Sequence, residues 1–199
     1  MKIKRKPQYY LYRIILDIQK PFINNICKLK FLYWGVKLGK NVTFLGFSRV
    51  LNMNIIKIGK NTRIISGIRN NVGRSNRTIF ETGQKGEILI GENVGISNCT
   101  IISQNSIQID NHVYIGGGSR IYDNDFHAID RETRIQNPTK IPTAKIHIKE
   151  GVFIGGHCTI LKGVTIGENS VVGSNSLVTK SIPGNEIWGG VPAKMIKKI

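Results

Sequence analysis

Acidic residues are scarce in this 199-residue chain: 12 Asp and Glu stand against 29 Lys and Arg, which gives a formal net charge of +17. A balance this basic indicates an anionic partner, such as nucleic acid, a phosphorylated small molecule or an acidic membrane face. Ten of the basic residues fall within residues 1–40, where Asp17 is the only acid. No RNP, zinc-finger or helix-turn-helix pattern is present, so the sequence does not predict a nucleic-acid-binding protein.

Cysteines and long apolar runs are also few. Cys27, Cys99 and Cys158 are widely separated and show no CxxC or other metal-ligand spacing, so no metal site is predicted. Unpaired cysteines of this kind are typical of reduced thiols in a cytoplasmic protein. No stretch reaches about 18 uninterrupted apolar residues, and Asp17, Gln19 and Lys20 interrupt the first apolar run. The sequence therefore predicts neither a membrane-spanning helix nor a secretory signal.

The strongest positive signal is an aliphatic residue that recurs every six positions. A helix cannot satisfy a period of six, and an amphipathic strand shows a period of two. A solenoid can: if each hexad forms one flat face, three faces close one coil, and stacked aliphatic anchors build a continuous core. A β-sandwich with coincidental spacing is the alternative, and six consecutive anchors argue against it. The anchors are Ile148, Ile154, Ile160, Ile166, Val172 and Val178. An earlier block has Ile90, Ile96 and Ile102 and, after one extra residue, Ile109, Ile115 and Ile121, and a shorter echo lies at Ile58 and Ile64.

Two other positions of the hexads fit such a coil. Gly, Asn and Asp after the anchors suit tight corners, where φ is positive or side chains bond to the backbone. Small residues at the fifth position suit a crowded second inward site. The sequence therefore predicts an all-β solenoid. The fifth-position residues are Ser119, Val152, Cys158, Val164, Ser170 and Ser176.

Interruptions of the repeat predict the organisation of the chain. The polar segment 122–147 is expected to leave the coil as a loop on one face, where binding residues are often found. We divide the chain into a basic amphipathic helical segment at 1–40, a β-helix at 41–183 and a C-terminal tail at 184–199. The helical segment is expected to contain one or two helices broken at Pro21. Its role stays open between capping the open end of the coil and docking on an anionic membrane surface.

The hexads resemble those of the bacterial hexapeptide-repeat acyltransferases, the group that contains galactoside, maltose and polysaccharide O-acetyltransferases. The resemblance covers roughly residues 41–199 and is most specific at 95–101, 115–130 and 152–199, where the last stretch contains GGVPAK. It implies a left-handed parallel β-helix with an extruded active-site loop. It also implies a homotrimer that binds acetyl-CoA in a groove between neighbouring subunits and transfers the acetyl group directly, without a metal.

The extruded loop holds the predicted catalytic residues. Acetyl transfer to a sugar hydroxyl needs a base, and imidazole titrates near neutral pH. His127 ends the run DNDFH, where the family carries its catalytic histidine, so we predict it to be the general base. Asp123 and Asp125 are candidates to hold its ring; the alternative is that they are solvated loop carboxylates or bind substrate hydroxyls.

Backbone groups at the coil corners are predicted to hold the acetyl-CoA. The amides of Gly155, Gly156 and Ser174 can meet those of the pantetheine arm, and one N–H can stabilise the oxyanion. For one further candidate, Trp188, stacking on the adenine and packing against the coil both stay open. The other cofactor contacts that the resemblance implies are Phe153, Thr179, Lys180, Lys194, Lys197 and Lys198.

The acceptor is the least determined part of the prediction. The DFH form of the loop and the basic N-terminus look like those of acetyltransferases that act in capsule, lipopolysaccharide or exopolysaccharide synthesis. The acceptor of such an enzyme would be a nucleotide sugar, a lipid-linked saccharide or a free glycoside. We expect the protein to be cytoplasmic, and peripheral contact with the inner face of the membrane stays open. Two other functions stay open: N-acetylation of an amino sugar or nucleotide-linked amino sugar, and polyanion binding by a non-catalytic β-helix.

Five residues are candidates for acceptor binding. Asn98 lies at a hexad corner, where it would contact the acceptor or cofactor, or else join an asparagine ladder. The others are arginines that can pair with phosphate or uronic-acid groups: Arg69, Arg74, Arg77 and Arg131.

Overall fold

Short strands stack into three sheets that form the faces of a coil in the computed structural model, which describes residues 7–67 and 76–199. Sheet A contains β1 (Lys37–Leu38), β4 (Ile55–Ile58), β7 (Glu87–Ile90), β10 (Ser106–Ile109), β13 (Ile146–Ile148) and β16 (Thr165–Ile166). Sheet B contains β2 (Thr43–Leu45), β5 (Arg63–Ile65), β8 (Gly95–Ser97), β11 (Tyr114–Ile115), β14 (Phe153–Ile154), β17 (Val171–Val172), β19 (Glu186–Gly189) and β20 (Lys194–Lys198). Sheet C contains β3 (Arg49–Asn52), β6 (Ile79–Thr82), β9 (Thr100–Ser103), β12 (Arg120–Tyr122), β15 (Thr159–Ile160) and β18 (Leu177–Val178).

The chain visits sheets A, B and C in turn and forms a left-handed parallel β-helix. Anchors of successive coils pair directly in parallel register, as Ile109 does with Ile148 and Ile148 with Ile166. Only the last pair, β19 with β20, runs antiparallel among the named strands that the structure describes. The predicted all-β solenoid with its N-terminal helical segment and extruded loop is confirmed.

The predicted anchors form the core of the coil. All six anchors from Ile148 to Val178 are buried, with 0–1% of their surface exposed, and the six fifth-position residues are buried beside them. One predicted anchor is wrong: Ile102 is half-buried, and its neighbour Ile101 is the buried residue. The corner at Ser97–Asn98 is one residue shorter than the others, so the inward side of β9 shifts by one position.

Asparagines make many of the corners. Among the described residues, ten that are not glycine have positive φ, and seven of these are asparagines. The short amide tolerates the left-handed region because it can bond to nearby groups. Asn41, Asn61 and Asn93 also stack as a ladder that His112 extends, with contacts of 3.1–3.2 Å.

Helix α1 (Pro7–Tyr33) closes the N-terminal end of the coil. Ile23, Cys27 and Phe31, spaced four residues apart, are buried in the same core as the coil anchors. The Phe31 ring lies 4.6 Å from that of Phe44 in the first coil. The predicted break at Pro21 does not occur, since the helix runs through it. Pro21 is exposed, so water can serve the carbonyl that loses its N–H partner.

The predicted loop leaves sheet C after β12 and returns at β13. It contains one short helix, α2 (Arg131–Gln136), whose N-cap is Asp130. Within the described part of the chain, no helix has the length and apolar character needed to cross a bilayer.

Candidate active site

The carboxylate of Asp123 fixes the point where the loop leaves the coil. It is fully buried and accepts hydrogen bonds from the Ser103 hydroxyl (2.6 Å) and from the N–H groups of Gln104 (2.8 Å) and Asn105 (2.9 Å). These donors lie at the end of β9, in the neighbouring coil. The structure therefore places the Asp123 oxygens against the coil and not against the ring of His127.

The second predicted acid, Asp125, ties the loop to the next coil. Its carboxylate pairs with the ammonium of Lys162 at 2.8 Å, and both side chains are partly exposed. Within the described residues, no hydrogen bond or ion pair reaches the ring of His127, so neither aspartate orients it here. The ring is exposed at the surface of the loop.

Phe126 gives the loop a sharp turn directly before His127. Its φ is 61°, in the left-handed region that bulky residues rarely adopt. The Phe126 N–H bonds to the Asn124 side chain at 2.9 Å, and its ring meets that of Tyr122 edge-on at 5.0 Å. Strained backbone of this kind is concentrated at functional sites, because the surrounding contacts must hold it in place. The turn therefore presents the imidazole on a rigid support.

A cavity of about 460 Å³ lies within the loop and is lined by residues that come after His127 in the chain. Ala128, Ile129, Thr133 and Ile141 are among the residues that line it. The carboxylate of Asp130 also lines it, and a hydrogen bond of 2.7 Å from the Thr133 N–H lowers the pKa of that carboxyl. The loop thus offers a partly apolar recess beside the candidate base.

The coil corner after β14 holds the predicted backbone contacts for pantetheine. The Gly155 N–H is already used, since it donates to the Val172 carbonyl at 2.8 Å, and the Gly155 carbonyl accepts from Ser119 at 3.0 Å. No acceptor for the N–H of Gly156 or of Ser174 is found in the part of the chain that the structure describes. Two of the three predicted backbone donors therefore have no acceptor within the described chain, and Gly155 is committed to the coil.

The other predicted cofactor contacts lie near the C-terminal end of the coil. Trp188 packs on the coil, and its indole N–H donates to Glu186 at 2.7 Å. Of the two roles left open for Trp188, the structure therefore shows packing against the coil. Phe153 projects outward from β14 and is half-exposed. The remaining side chains are exposed. The Thr179 hydroxyl and the Lys180 ammonium follow β18, and three more lysines lie in β20: Lys194, Lys197 and Lys198.

The acceptor candidates are dispersed. Asn98 is buried at a corner with φ of 40°. Arg131 begins α2, is exposed and pairs with Glu132 at 2.8 Å. Arg74, like Arg69, lies outside the described residues.

The three cysteines are buried and unpaired, which bears on nucleophilic chemistry. Burial raises the pKa of the Cys27, Cys99 and Cys158 thiols, most of all that of Cys99. A buried protonated thiol is a poor nucleophile. Within the described residues, no group of three or more His, Cys, Asp or Glu side chains is placed to hold a metal.

Two residues that hold the loop of His127 in place, Lys162 and Phe126, do not belong to a pattern that would predict this role. Lys162 lies 37 positions from Asp125, and only the stacking of coils brings them together. Left-handed backbone is signalled by Gly or Asn, and Phe126 is neither. The DNDFH run was the one available indication that this turn is special.

The stacked hexads form a hexapeptide-repeat β-helix, and its extruded loop carries a histidine. Residues 145–180 match the family model described as bacterial transferase hexapeptide (six repeats). The resemblance to hexapeptide-repeat acyltransferases, predicted from the sequence, is confirmed.

The chain is also similar to individual proteins and solved structures. The chain is similar to galactoside O-acetyltransferase of Lactococcus lactis, with 36% identity over 102 residues, which are 51% of this chain and 48% of that protein. It thus spans about half the length of the curated relatives it matches. Among solved structures it is similar to AntD, an N-acyltransferase from Bacillus cereus in complex with dTDP and 3-hydroxybutyryl-CoA (25% identity, 86% of each chain, TM-score 0.67). It is also similar to a hexapeptide-repeat acetyltransferase from Vibrio cholerae complexed with acetyl-CoA (25% identity, 97% and 90% of the chains, TM-score 0.55).

Proposed function

We propose that this protein is an acetyltransferase that moves the acetyl group of acetyl-CoA onto a hydroxyl of a saccharide, with His127 as general base. The observation that carries the proposal is the exposed His127 ring on a loop whose base is fixed by Asp123 and by the Asp125–Lys162 pair. A base on a rigid support keeps its position when the acceptor binds, which is what proton abstraction requires.

The chemistry needs one base and one oxyanion donor. The His127 imidazole takes the acceptor's hydroxyl proton as the hydroxyl oxygen attacks the acetyl carbonyl carbon. The N–H of Gly156 or Ser174 stabilises the developing oxyanion. When the carbon–sulfur bond breaks, the imidazolium returns its proton to the departing sulfur, so the products are an acetyl ester and free CoA. The buried thiols take no part, so the transfer is direct.

The exposed residues around the coil corner fit acetyl-CoA. The N–H groups of Gly156 and Ser174, which have no acceptor within the described chain, can donate to the amide carbonyls of the pantetheine arm. Lys180, Lys194 and Lys197 are exposed cations that can meet its phosphates, as point charges without the fork geometry of arginine. The relatives that are acetyltransferases or are found with acyl-CoA support this choice of donor.

Replacing the imidazole tests the proposal. His127→Ala should lower kcat for acetyl-CoA-dependent thiol release by about 100-fold or more. The ring is exposed, so the free energy of unfolding should change by about 0.5 kcal/mol or less. His112→Asn is the matched control, because it alters an exposed coil histidine while keeping a residue that tolerates positive φ. Activity within twofold of wild type in His127→Ala would remove the base assignment, and absence of thiol release with any acceptor would favour the non-catalytic alternative.

N-acetylation is the second candidate. The structural neighbour AntD is an N-acyltransferase found with dTDP, which supports a nucleotide-linked amino sugar as acceptor. Thiol-release assays with paired hydroxyl and amine acceptors separate the two reactions. Asn98, Arg74 and Arg131 are our candidates for acceptor binding, and an Arg74→Ala variant that leaves the rates for charged and neutral acceptors unchanged would exclude Arg74.

We further propose a cytoplasmic homotrimer that contacts the inner face of the membrane through residues 1–40. Much of the outward side of α1 is apolar, and the segment carries ten basic residues against one acid. Such a surface complements anionic lipid headgroups.

A further inference from the structure

A second cavity, of about 510 Å³, lies on the outer face of sheet B, away from the loop of His127. Its floor and walls include Arg63 of β5, Gly95 of β8, Tyr114 of β11 and Phe153 of β14. The volume falls in the range of roughly 300–1,000 Å³ that is usual for small-molecule sites. This face therefore has room for a ligand larger than a single sugar.

The four residues form one row across the sheet. Arg63 is paired in register with Gly95, Gly95 with Tyr114, and Tyr114 with Phe153. Gly95 makes the cavity, because a Cβ there would lie 2.7 Å from the Tyr114 ring. Both aromatic rings remain open to solvent, with 59% of Tyr114 and 49% of Phe153 exposed. Two neighbouring exposed rings form an aromatic platform that the coil itself does not need.

The platform is next to an uncompensated positive charge. The Arg63 guanidinium is exposed and has no acidic partner among the residues that the structure describes. Glu92, an acid at the corner before β8, is paired with Lys60 at 3.0 Å. Arginine matches phosphate oxygens with two parallel hydrogen bonds, so Arg63 is suited to a diphosphate.

We propose that this cavity binds a nucleoside diphosphate, the nucleotide part of a nucleotide-linked sugar acceptor, which stays attached to the sugar during acetyl transfer. The base stacks on Tyr114 and Phe153, and the diphosphate pairs with Arg63. Two strand spacings separate Arg63 from Tyr114, about 10 Å, a span that a nucleoside diphosphate covers from base to phosphate. A neutral glycoside has no anionic group to pair with the guanidinium.

The position of the cavity links it to the donor corner. Phe153, which the family resemblance implies as a cofactor contact, lies three residues before Gly156, so the platform adjoins the proposed acetyl-CoA site. We assign its ring to the nucleotide and leave the acetyl-CoA to Gly156, Ser174 and the lysines. This assignment of the acceptor rests on the proposed acetyl transfer and names the class of sugar that receives the group.

Direct binding tests the inference. The full-length protein, saturated with CoA to occupy the donor site, is titrated calorimetrically with UDP and with dTDP. Wild type should bind at least one of them saturably, and Arg63→Gln or Tyr114→Ala should weaken binding about tenfold or more. Gly95→Ala should weaken it as well, because its methyl group displaces the Tyr114 ring without changing any charge. Arg49→Gln, an exposed arginine on sheet C, is the matched control and should bind like wild type.

The outcomes separate this inference from the proposed function. No saturable binding of either nucleotide, displacement by CoA, or an equal loss in Arg49→Gln would overturn the cavity assignment. His127→Ala should keep nucleotide binding while losing thiol release. If glycosides are acetylated but neither nucleotide binds, acetyl transfer stands and the cavity assignment fails. If a nucleotide binds but no acceptor yields thiol, the cavity assignment stands and the proposed acetyl transfer fails.

Discussion

Asp123 illustrates at the scale of one residue how a catalytic candidate becomes a structural one. An aspartate four positions before a candidate base is a natural partner for its ring. In the fold, its carboxylate instead accepts four hydrogen bonds, three of them from Ser103, Gln104 and Asn105 and one from the side chain of Asn124. A buried carboxylate needs such donors, because leaving it unpaired costs several kcal/mol.

Replacing Asp123 should therefore destabilise the protein. Asp123→Asn keeps the shape but presents an NH₂ group to donors, so we expect the free energy of unfolding to fall by about 2–4 kcal/mol. Urea denaturation followed by circular dichroism measures the change. Asp125→Asn is the control, since its pair with Lys162 is partly exposed and should contribute about 1 kcal/mol or less. Equal losses in the two variants would contradict the anchoring role of Asp123.

The cysteines give a second prediction for single residues. Because burial raises the pKa of all three thiols, the thiolate fraction near pH 8 is smaller than for a free cysteine. A thiol-detecting dye should leave Cys27, Cys99 and Cys158 unmodified in the native protein and label all three in urea. Rapid labelling of native protein would contradict their burial. The same inertness means that thiol release in the transferase assay reports CoA.

At the scale of the element, α1 has two apolar sides with different tasks. One side packs into the core through Ile23, Cys27 and Phe31. The other faces solvent with large apolar residues. Its members are Tyr10, Ile14, Ile15, Ile18, Phe22, Ile26, Leu29, Leu32 and Tyr33, each at least 36% exposed. Capping and docking, which the sequence left as alternatives, are therefore compatible in one helix.

The exposed side of α1 should bind anionic lipid. Wild type should sediment with vesicles that contain phosphatidylglycerol, and the double variant Ile18→Glu, Phe22→Glu should lose most of this binding, because it places charge where the bilayer interface is apolar. Raised salt should weaken binding of wild type. Met53→Glu, an exposed apolar residue on the coil, is the control. Equal binding to neutral phosphatidylcholine vesicles, or a changed molar mass of the double variant without vesicle binding, would point to a protein contact instead.

The whole molecule should be a trimer if the donor groove lies between subunits. Light scattering should then give three times the 22.2 kDa of one chain. Thiol release per subunit should fall upon dilution below the assembly range, since each groove needs two subunits. A monomer with full activity would contradict the shared groove.

Prediction from sequence succeeded where a local pattern has one physical solution. A period of six can be met only by a coil with three faces, and buried Ile148, Ile154 and Ile160 follow directly from it. It failed where neighbours in space decide. The inward residue at β9 moved from Ile102 to Ile101 because one corner is short, and Pro21 did not end α1 because its position faces water.

The sequence by itself determined the β-helix, its core and the loop that carries His127, because spacing along the chain sets which side chains point inward. Only the tertiary structure decided which residues each polar side chain contacts. Lys162 meets Asp125 across 37 positions, and Arg63, Tyr114 and Phe153 share one row, because stacking places residues from successive coils about 5 Å apart. Contacts between distant parts of a chain depend on register, and register exists only once the coil has closed.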